Sequence, residues 1–321
     1  MPNVWKTLKK PILALAPMED VTDTVFRRVV AHCARPDIFF TEFTNCEGLQ
    51  SAGRNIVGRR LQYTQEERPI IAQIWGMKPE AFYQTAKELV AMGFDGIDIN
   101  FGCPEKSVVS HGACAALIDN KPRAAEIIQA TKSGVNKKLP VSVKTRIGFK
   151  TIQTEEWISF LLVQHIDALT IHGRTARELS EVPAHWDEIG KAVTLRNSLG
   201  VDTIILGNGD VGSYAEALEK VKTYSVDGVM IGRGVFHNPW MFESHPIIHS
   251  IEERLELMKY HVQLFDKTWV RRKNYDILKR FFKIYISGFD GASEFRGRLM
   301  ATRSPKEALN VVELYHGSQK V

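Results

Sequence analysis

Apolar and polar positions along the first 235 residues fall into blocks. Eight short runs rich in apolar and β-branched residues recur: PILALAPM (11–18), DIFFTEF (37–43), PIIAQIWG (69–76), GIDINFG (96–102), PVSVKTRIG (140–148), ALTIHGRT (168–175), TIILGNGD (203–210) and GVMIGRG (228–234). Each ends in Gly, Pro or polar residues and is followed by a segment with helical spacing. Strands that are apolar on both faces belong to a parallel sheet covered by helices. Their starts lie about 25 to 45 residues apart, enough for a strand, a crossover helix and two loops. Two helices are legible in detail. PEAFYQTAKELVAMG (79–93) has Pro in its first turn and stops at Gly93, while SYAEALEKVKTYSV (213–226) opens on a Ser cap with Glu216 at capping-box spacing. Eight strand–helix units predict an α/β fold, a closed (β/α)8 TIM barrel rather than an open doubly wound sheet.

The pattern changes after GRGVFHNPWMF. Residues 237–250 carry two prolines and three histidines without periodicity, and from Ile251 onward only helical spacing remains. The expected organisation is a barrel over residues 1–245 and a small all-helical domain over 246–321. Composition adds where charge sits. Of the 321 residues, 44% are hydrophobic and 25% charged, which excludes a disordered or low-complexity chain. Lys and Arg exceed Asp and Glu by 42 to 37, and the whole excess lies from residue 251 on, with 14 basic against 9 acidic residues. A neutral barrel with a basic tail points to an anionic macromolecule, although an uneven surface explains the charge alone equally well. The four cysteines match neither a disulfide scaffold nor a metal knuckle, so a reducing cytoplasm and no metal are expected. No apolar stretch reaches the roughly 20 residues that span a bilayer. The run before Pro17 reads as a first strand rather than a secretion signal.

A barrel of this kind carries its chemistry at the C-terminal ends of its strands. Those ends hold Pro17, Met18 and Glu19; Glu42; Gln73; Asn100 and Cys103; Lys144 and Arg146; His172 and Arg174; Asn208, Gly209 and Asp210; Gly232 and Arg233. GNGD and IGRG, closing the seventh and eighth runs, put glycines where backbone amides can approach a phosphate. Taken singly, Lys144, His172 and Gln73 read as structural polar groups of a barrel. Together at one mouth, an amide, a cation and an imidazole suit the carbonyls and ring nitrogens of a flavin. Cys103, in NFGCP, sits on a loop constrained by Gly102 and Pro104, a placement suited to proton transfer. Cys114, at the start of the next helix, is expected to pack, and Cys33 and Cys46 to be inert.

LAPMEDVTD, TEF, QIWG, DINFGCP, VSVKTRIG, IHGRT, GNGDV and IGRG, in this order, resemble the tRNA-dihydrouridine synthase family over nearly the whole chain. The resemblance implies an FMN enzyme that reduces the C5=C6 bond of uridine in tRNA and is reloaded by NADPH. It places Pro17, Met18 and Glu19 against the flavin ring, and Gln73, Lys144 and His172 in hydrogen bonds to it. Asn208, Gly209, Asp210, Gly232 and Arg233 are implied to hold ribityl and phosphate, Asn100 and Arg146 to face the uracil, and Cys103 to protonate C5. A barrel with its own tail is expected to work as a monomer, and the lack of a membrane-length apolar run predicts no membrane association. The basic residues Arg271, Arg272, Lys273, Lys279, Arg280, Lys283, Arg296 and Arg298 would meet tRNA phosphates, while Trp269, Tyr275, Phe281, Phe282 and Tyr285 read as core of the tail. A chain ended near residue 245 is then expected to bind flavin but not tRNA. Two positions depart from the family pattern: Ser180 stands where a tyrosine of the uracil pocket is expected, and Cys114 where a turn glycine is expected. Three other readings compete: an FMN barrel acting on a free pyrimidine or a dihydroorotate-like substrate, a flavin-free phosphate-binding lyase or isomerase, and a non-catalytic tRNA-binding protein.

Overall fold

A computed structural model of the chain describes residues 3–270 and 272–318, so Arg271 lies outside the described residues. Nine strands form one parallel sheet: β1 (Ile12–Leu15), β2 (Phe39–Phe40), β3 (Thr44–Asn45), β4 (Ile70–Trp75), β5 (Gly96–Phe101), β6 (Val141–Arg146), β7 (Ala168–His172), β8 (Ile204–Asn208) and β9 (Gly228–Ile231). The order β1-β9-β8-β7-β6-β5-β4-β2 returns on itself where Ala14 bridges Ile38 and the Asp37 amide donates to the Leu13 carbonyl at 2.8 Å. This is the predicted (β/α)8 barrel, with one difference. The run DIFFTEF is not a single strand: β2 pairs with Ile70 and Ile71, the chain leaves the ladder at Glu42, and β3 rejoins β4 beside Ile74. The excursion lets the buried Glu42 carboxylate accept the Asp20 amide at 2.7 Å, which ties down the turn after β1.

The strands are mostly apolar because both faces are covered. Inside the ring, Ile12, Ala14, Phe40, Ile71, Leu206 and Met230 pack with Val4 and Trp5 from the short helix Val4–Thr7. β1 and β9 approach so closely that a Cβ on Gly228 would lie 2.1 Å from the Ile12 carbonyl oxygen, so only glycine fits there. On the outside, the helix Pro79–Ala91 begins and ends close to its predicted limits. Tyr214–Tyr224 has the expected Ser213 cap, accepting the Glu216 amide at 3.1 Å. Glu216 itself reaches the Gly212 amide at 2.7 Å, so the predicted reciprocal bond to Ser213 is displaced by one residue.

Two compact units make up the chain, Met1–Thr24 with Pro36–Arg233, and Val25–Arg35 with Gly234–Val321. The first is the barrel. The division falls upstream of residue 245, and the second unit takes in the body of the helix Thr24–Cys33 that follows β1. That helix presents the fully buried Val25, Phe26, Val29 and Val30, and within its unit Phe26 stacks on Phe281 at 4.8 Å and on Phe236 at 6.1 Å. Among the described residues the unit's other regular elements are helices, with Ile251–Trp269 and Pro305–Ser318 the longest, while residues 237–250 are irregular. Trp269, Phe281, Phe282 and Tyr285 are core residues, as their spacing implies, and Tyr275 is half-buried.

Candidate active site

Strand register decides which side chains share the barrel interior. Gln73 pairs with Asp98, Asn100 with Lys144, Arg146 with His172, and His172 with Asn208, so these polar residues occupy one face at the C-terminal ends of β4 to β8. Lys144 donates to Asn208 Oδ1 at 3.2 Å, and Asn208 donates in turn to the Met230 carbonyl at 2.8 Å. Burial pulls the Lys144 ammonium down to about 8; Arg146 adds to this effect and Asp98 opposes it. His172 is neutral: burial, together with the Lys144, Arg146, Arg174 and Arg233 cations, pushes its pKa well below the usual range. Its Nε2 accepts from Arg174 Nη1 at 3.2 Å, and because guanidinium only donates, the ring proton sits on Nδ1.

Gln73 is fully buried, donating to Asp98 Oδ2 at 2.6 Å and accepting from Asn100 Nδ2 at 3.0 Å. Asn100 Oδ1 accepts the amides of Gly102 at 3.0 Å and Cys103 at 2.9 Å. Arg146, also buried, donates to the carbonyls of Gly102 at 2.8 Å, Thr175 at 2.9 Å and Leu179 at 3.1 Å. Asn100 and Arg146 therefore brace the loop that carries Cys103. That thiol is half-buried, and burial raises its pKa against the pull of the Glu105 amide, Arg146 and Lys144.

At the other side of the mouth, Met18 follows β1 with its amide on Thr22 Oγ1 at 2.8 Å, and a Cβ built on Gly232 would lie 3.6 Å from Ala16 and 3.8 Å from Met18 Sδ. Gly209 has φ +129, and a side chain there would strike Ala184 and His172. Two acids at the mouth hold arginines, and Glu19 Oε2 is buried with no protein partner among the described residues. Glu19 pairs with Arg60. Asp210 binds Arg174, the Ala184 amide at 2.9 Å and the exposed Arg233 at 3.2 Å. Its carboxylate orients two guanidinium groups.

A family model described as Dihydrouridine synthase (Dus) matches residues 14–320. The chain belongs to the dihydrouridine synthase family. It is 47% identical over 309 residues, 95% of this chain and 93% of the relative, to the probable tRNA-dihydrouridine synthase of Staphylococcus aureus (strain MRSA252). To the probable tRNA-dihydrouridine synthase 2 of Bacillus subtilis (strain 168) it is 46% identical over 308 residues, 95% of this chain and 94% of the relative. Among solved structures it resembles morphinone reductase, with TM-score 0.52 and 12% identity over 74% of this chain and 86% of that one. It also resembles histamine dehydrogenase from Rhizobium sp. 4-9, with TM-score 0.53 and 12% identity over 78% and 48%. At these identities the two structures speak for the barrel fold.

Both departures from the dihydrouridine synthase pattern have a place in the structure. Cys114 is buried with φ +50, a left-handed backbone that glycine adopts without strain, which accounts for the glycine expected there. Ser180 is exposed beside Leu179, itself exposed and at φ +52. Beyond Cys103 a cleft of about 780 Å³ opens, with apolar Val109, Phe149 and Leu179 in its lining and Lys106, Lys150 and Arg177 among its polar residues. The three cations are exposed and make no side-chain ion pair among the described residues. The strand-end reading named the mouth residues but missed what lies under them: Asp98, Ser142 and Thr41, whose hydroxyl accepts the Gln73 amide at 3.0 Å. The available signal was an acid in the middle of the otherwise apolar run GIDINF.

Proposed function

We propose that this dihydrouridine synthase family member is a flavin-dependent oxidoreductase that reduces uridine in tRNA to 5,6-dihydrouridine, with FMN at the barrel mouth and NADPH as reductant. The observation that carries the reading is the donor set: the Lys144 ammonium and the Nδ1–H of neutral His172 share one interior face beside β8 and β9 with their following glycines, and Gln73 lies on the same face one level below. Lys144 is met by an amide oxygen rather than a carboxylate, so it can serve an electron-rich ring. Pro17, Met18 and Gly232 would flank that ring. The Asn208–Gly209 backbone and Arg233, held by Asp210, would take ribityl and phosphate. When bound, the flavin supplies the hydride for C6 of the uracil.

The remaining work falls to this chain's own residues. Arg146 keeps its charge, since its pKa is lowered only to about 10. It and Asn100 would stabilise negative charge growing on the uracil carbonyl while holding the Cys103 loop. Cys103 remains a thiol at neutral pH because burial opposes thiolate formation, and it would pass its proton to C5. The cleft past Cys103 offers an extruded nucleotide an apolar wall and cations for its phosphates. A free-pyrimidine reductase would not need those cations.

Purified protein incubated with NADPH and tRNA from cells lacking it tests the proposal. Specific uridines should gain the mass of two hydrogens; tRNA left unchanged, with NADPH consumed on a free pyrimidine instead, contradicts it.

A further inference from the structure

Asp98 sits in the middle of β5, fully buried, with Ser142 Oγ on its Oδ1 at 2.6 Å and Gln73 Nε2 on its Oδ2 at 2.6 Å. Neither contact is an ion pair, and a buried acid held only by neutral donors is costly. Burial pushes its pKa up to about 6, although both hydrogen bonds and the Lys144 charge act to lower it. Such a group persists in a core when its acceptor character has a use.

The use lies in the sense of a hydrogen-bond chain. A carboxylate only accepts, so Gln73 must turn its Nε2 toward Asp98 and its Oε1 toward Asn100. Asn100 must then give Nδ2 to Gln73, which leaves Oδ1 facing the amides of Gly102 and Cys103. Those amides only donate, so the two ends of the chain demand the same orientation of both carboxamides. The Asp98, Gln73, Asn100 and Ser142 side chains are nine-tenths or more buried, so the pair is shielded from bulk solvent.

We infer that Asp98 is a positioning residue that sets the donor–acceptor sense of the Gln73–Asn100 pair and through it holds the Cys103 loop. The consequence for catalysis rests on the reading of Cys103 as proton donor; the effect on the loop does not.

The test is the rate of Cys103 alkylation by iodoacetamide, read by peptide mass mapping on the full chain. Asp98→Asn keeps the chain's sense, because its Oδ1 can accept from Gln73 while its Nδ2 donates to Ser142, whose hydroxyl then turns to the Ile97 carbonyl 3.3 Å away. Asp98→Leu removes the acceptor and leaves Gln73 Nε2 buried without a partner, so the Gln73–Asn100 pair is held only at its Gly102 and Cys103 end and loosens. Labelling should match wild type in Asp98→Asn and be faster by about tenfold in Asp98→Leu, the effect of losing one hydrogen bond to a buried group. If Asp98→Leu does not fold, Gln73→Met cuts the same chain one link on and should label equally fast. A wild-type rate in the cut variants overturns the inference, and so does fast labelling of Asp98→Asn, which would make charge rather than acceptor sense the property that matters. Failure of the tRNA reading would appear separately, as wild-type protein that makes no dihydrouridine while these labelling rates keep their order.

Discussion

The mouth's cation has an unusual titration for a lysine. Burial lowers the Lys144 pKa to about 8, so its ammonium is intact below that value and lost above it, whereas in the unfolded chain it stays charged to the ordinary 10.5. Holding the ammonium in the core therefore detracts from stability below about pH 8, and the penalty fades between the two values. An electron-rich ligand that needs the charge should bind the protein more weakly as pH rises through 8, by up to about tenfold per pH unit above it. Titrating ligand-free protein with FMN across pH 6.5 to about 9.5 measures this; Lys144→Met should bind more weakly and lose that pH dependence, and the same slope in the variant would assign it to another group. His172 contributes none, being already neutral. At this scale the sequence revealed which residue types sit at strand ends. It did not reveal their partners: Asn100 and Arg146, expected to face the uracil, also brace the Cys103 loop, and Asp210, expected at the phosphate, anchors Arg174 and Arg233. Such partners come from strands far apart in sequence, and strand periodicity does not encode side-chain reach.

Among the elements, seven of the eight apolar runs correspond to single strands because a buried strand between covering helices leaves a continuous apolar signature. The exception, DIFFTEF, breaks where Glu42 turns back to the β1 loop, a tertiary contact that overrides local propensity. The strand ends also obey backbone constraints that pattern alone does not carry. Gly209 at φ +129 keeps the turn after β8 clear of Ala184 and His172. Gly209→Ala would place its Cβ 2.7 Å from the Ala184 Cβ and 3.2 Å from His172 Cδ2, besides forcing an unfavourable φ. The expected cost is about 2 kcal/mol of stability, measured by urea unfolding, together with weaker FMN binding as the imidazole is pushed aside. An unchanged unfolding midpoint and affinity would show that the turn relaxes freely.

For the whole chain, the division into units sharpens the charge argument. The helical unit adds Arg27, Arg28 and Arg35 and the single acid Glu243 to the excess of the tail, so it carries +7 and the barrel −2. Ending the chain near residue 245 is no longer a clean test of tRNA binding, because it would strip Phe26 of Phe281 within the same unit. Point changes serve better. Lys283→Glu with Arg298→Glu, both exposed, should weaken tRNA binding across sequences. Replacing Lys106, Lys150 and Arg177 by Ala beside Cys103 should raise KM for tRNA and make its salt dependence shallower by about two units, leaving reduction of the protein by NADPH unchanged. Loss of the NADPH step in that variant would mean that the cleft takes the nicotinamide dinucleotide. A second alternative, a tRNA-binding protein without turnover, is separated from the proposal only by chemistry at Cys103.

The most direct measurement is therefore a single turnover: protein loaded with FMN, reduced with NADPH, then mixed with tRNA lacking dihydrouridine, for wild type and Cys103→Ala. The account predicts that wild type forms dihydrouridine as its flavin reoxidises, and that Cys103→Ala holds reduced flavin but forms product at least about a hundredfold more slowly. Equal rates of product formation in the two proteins would contradict it.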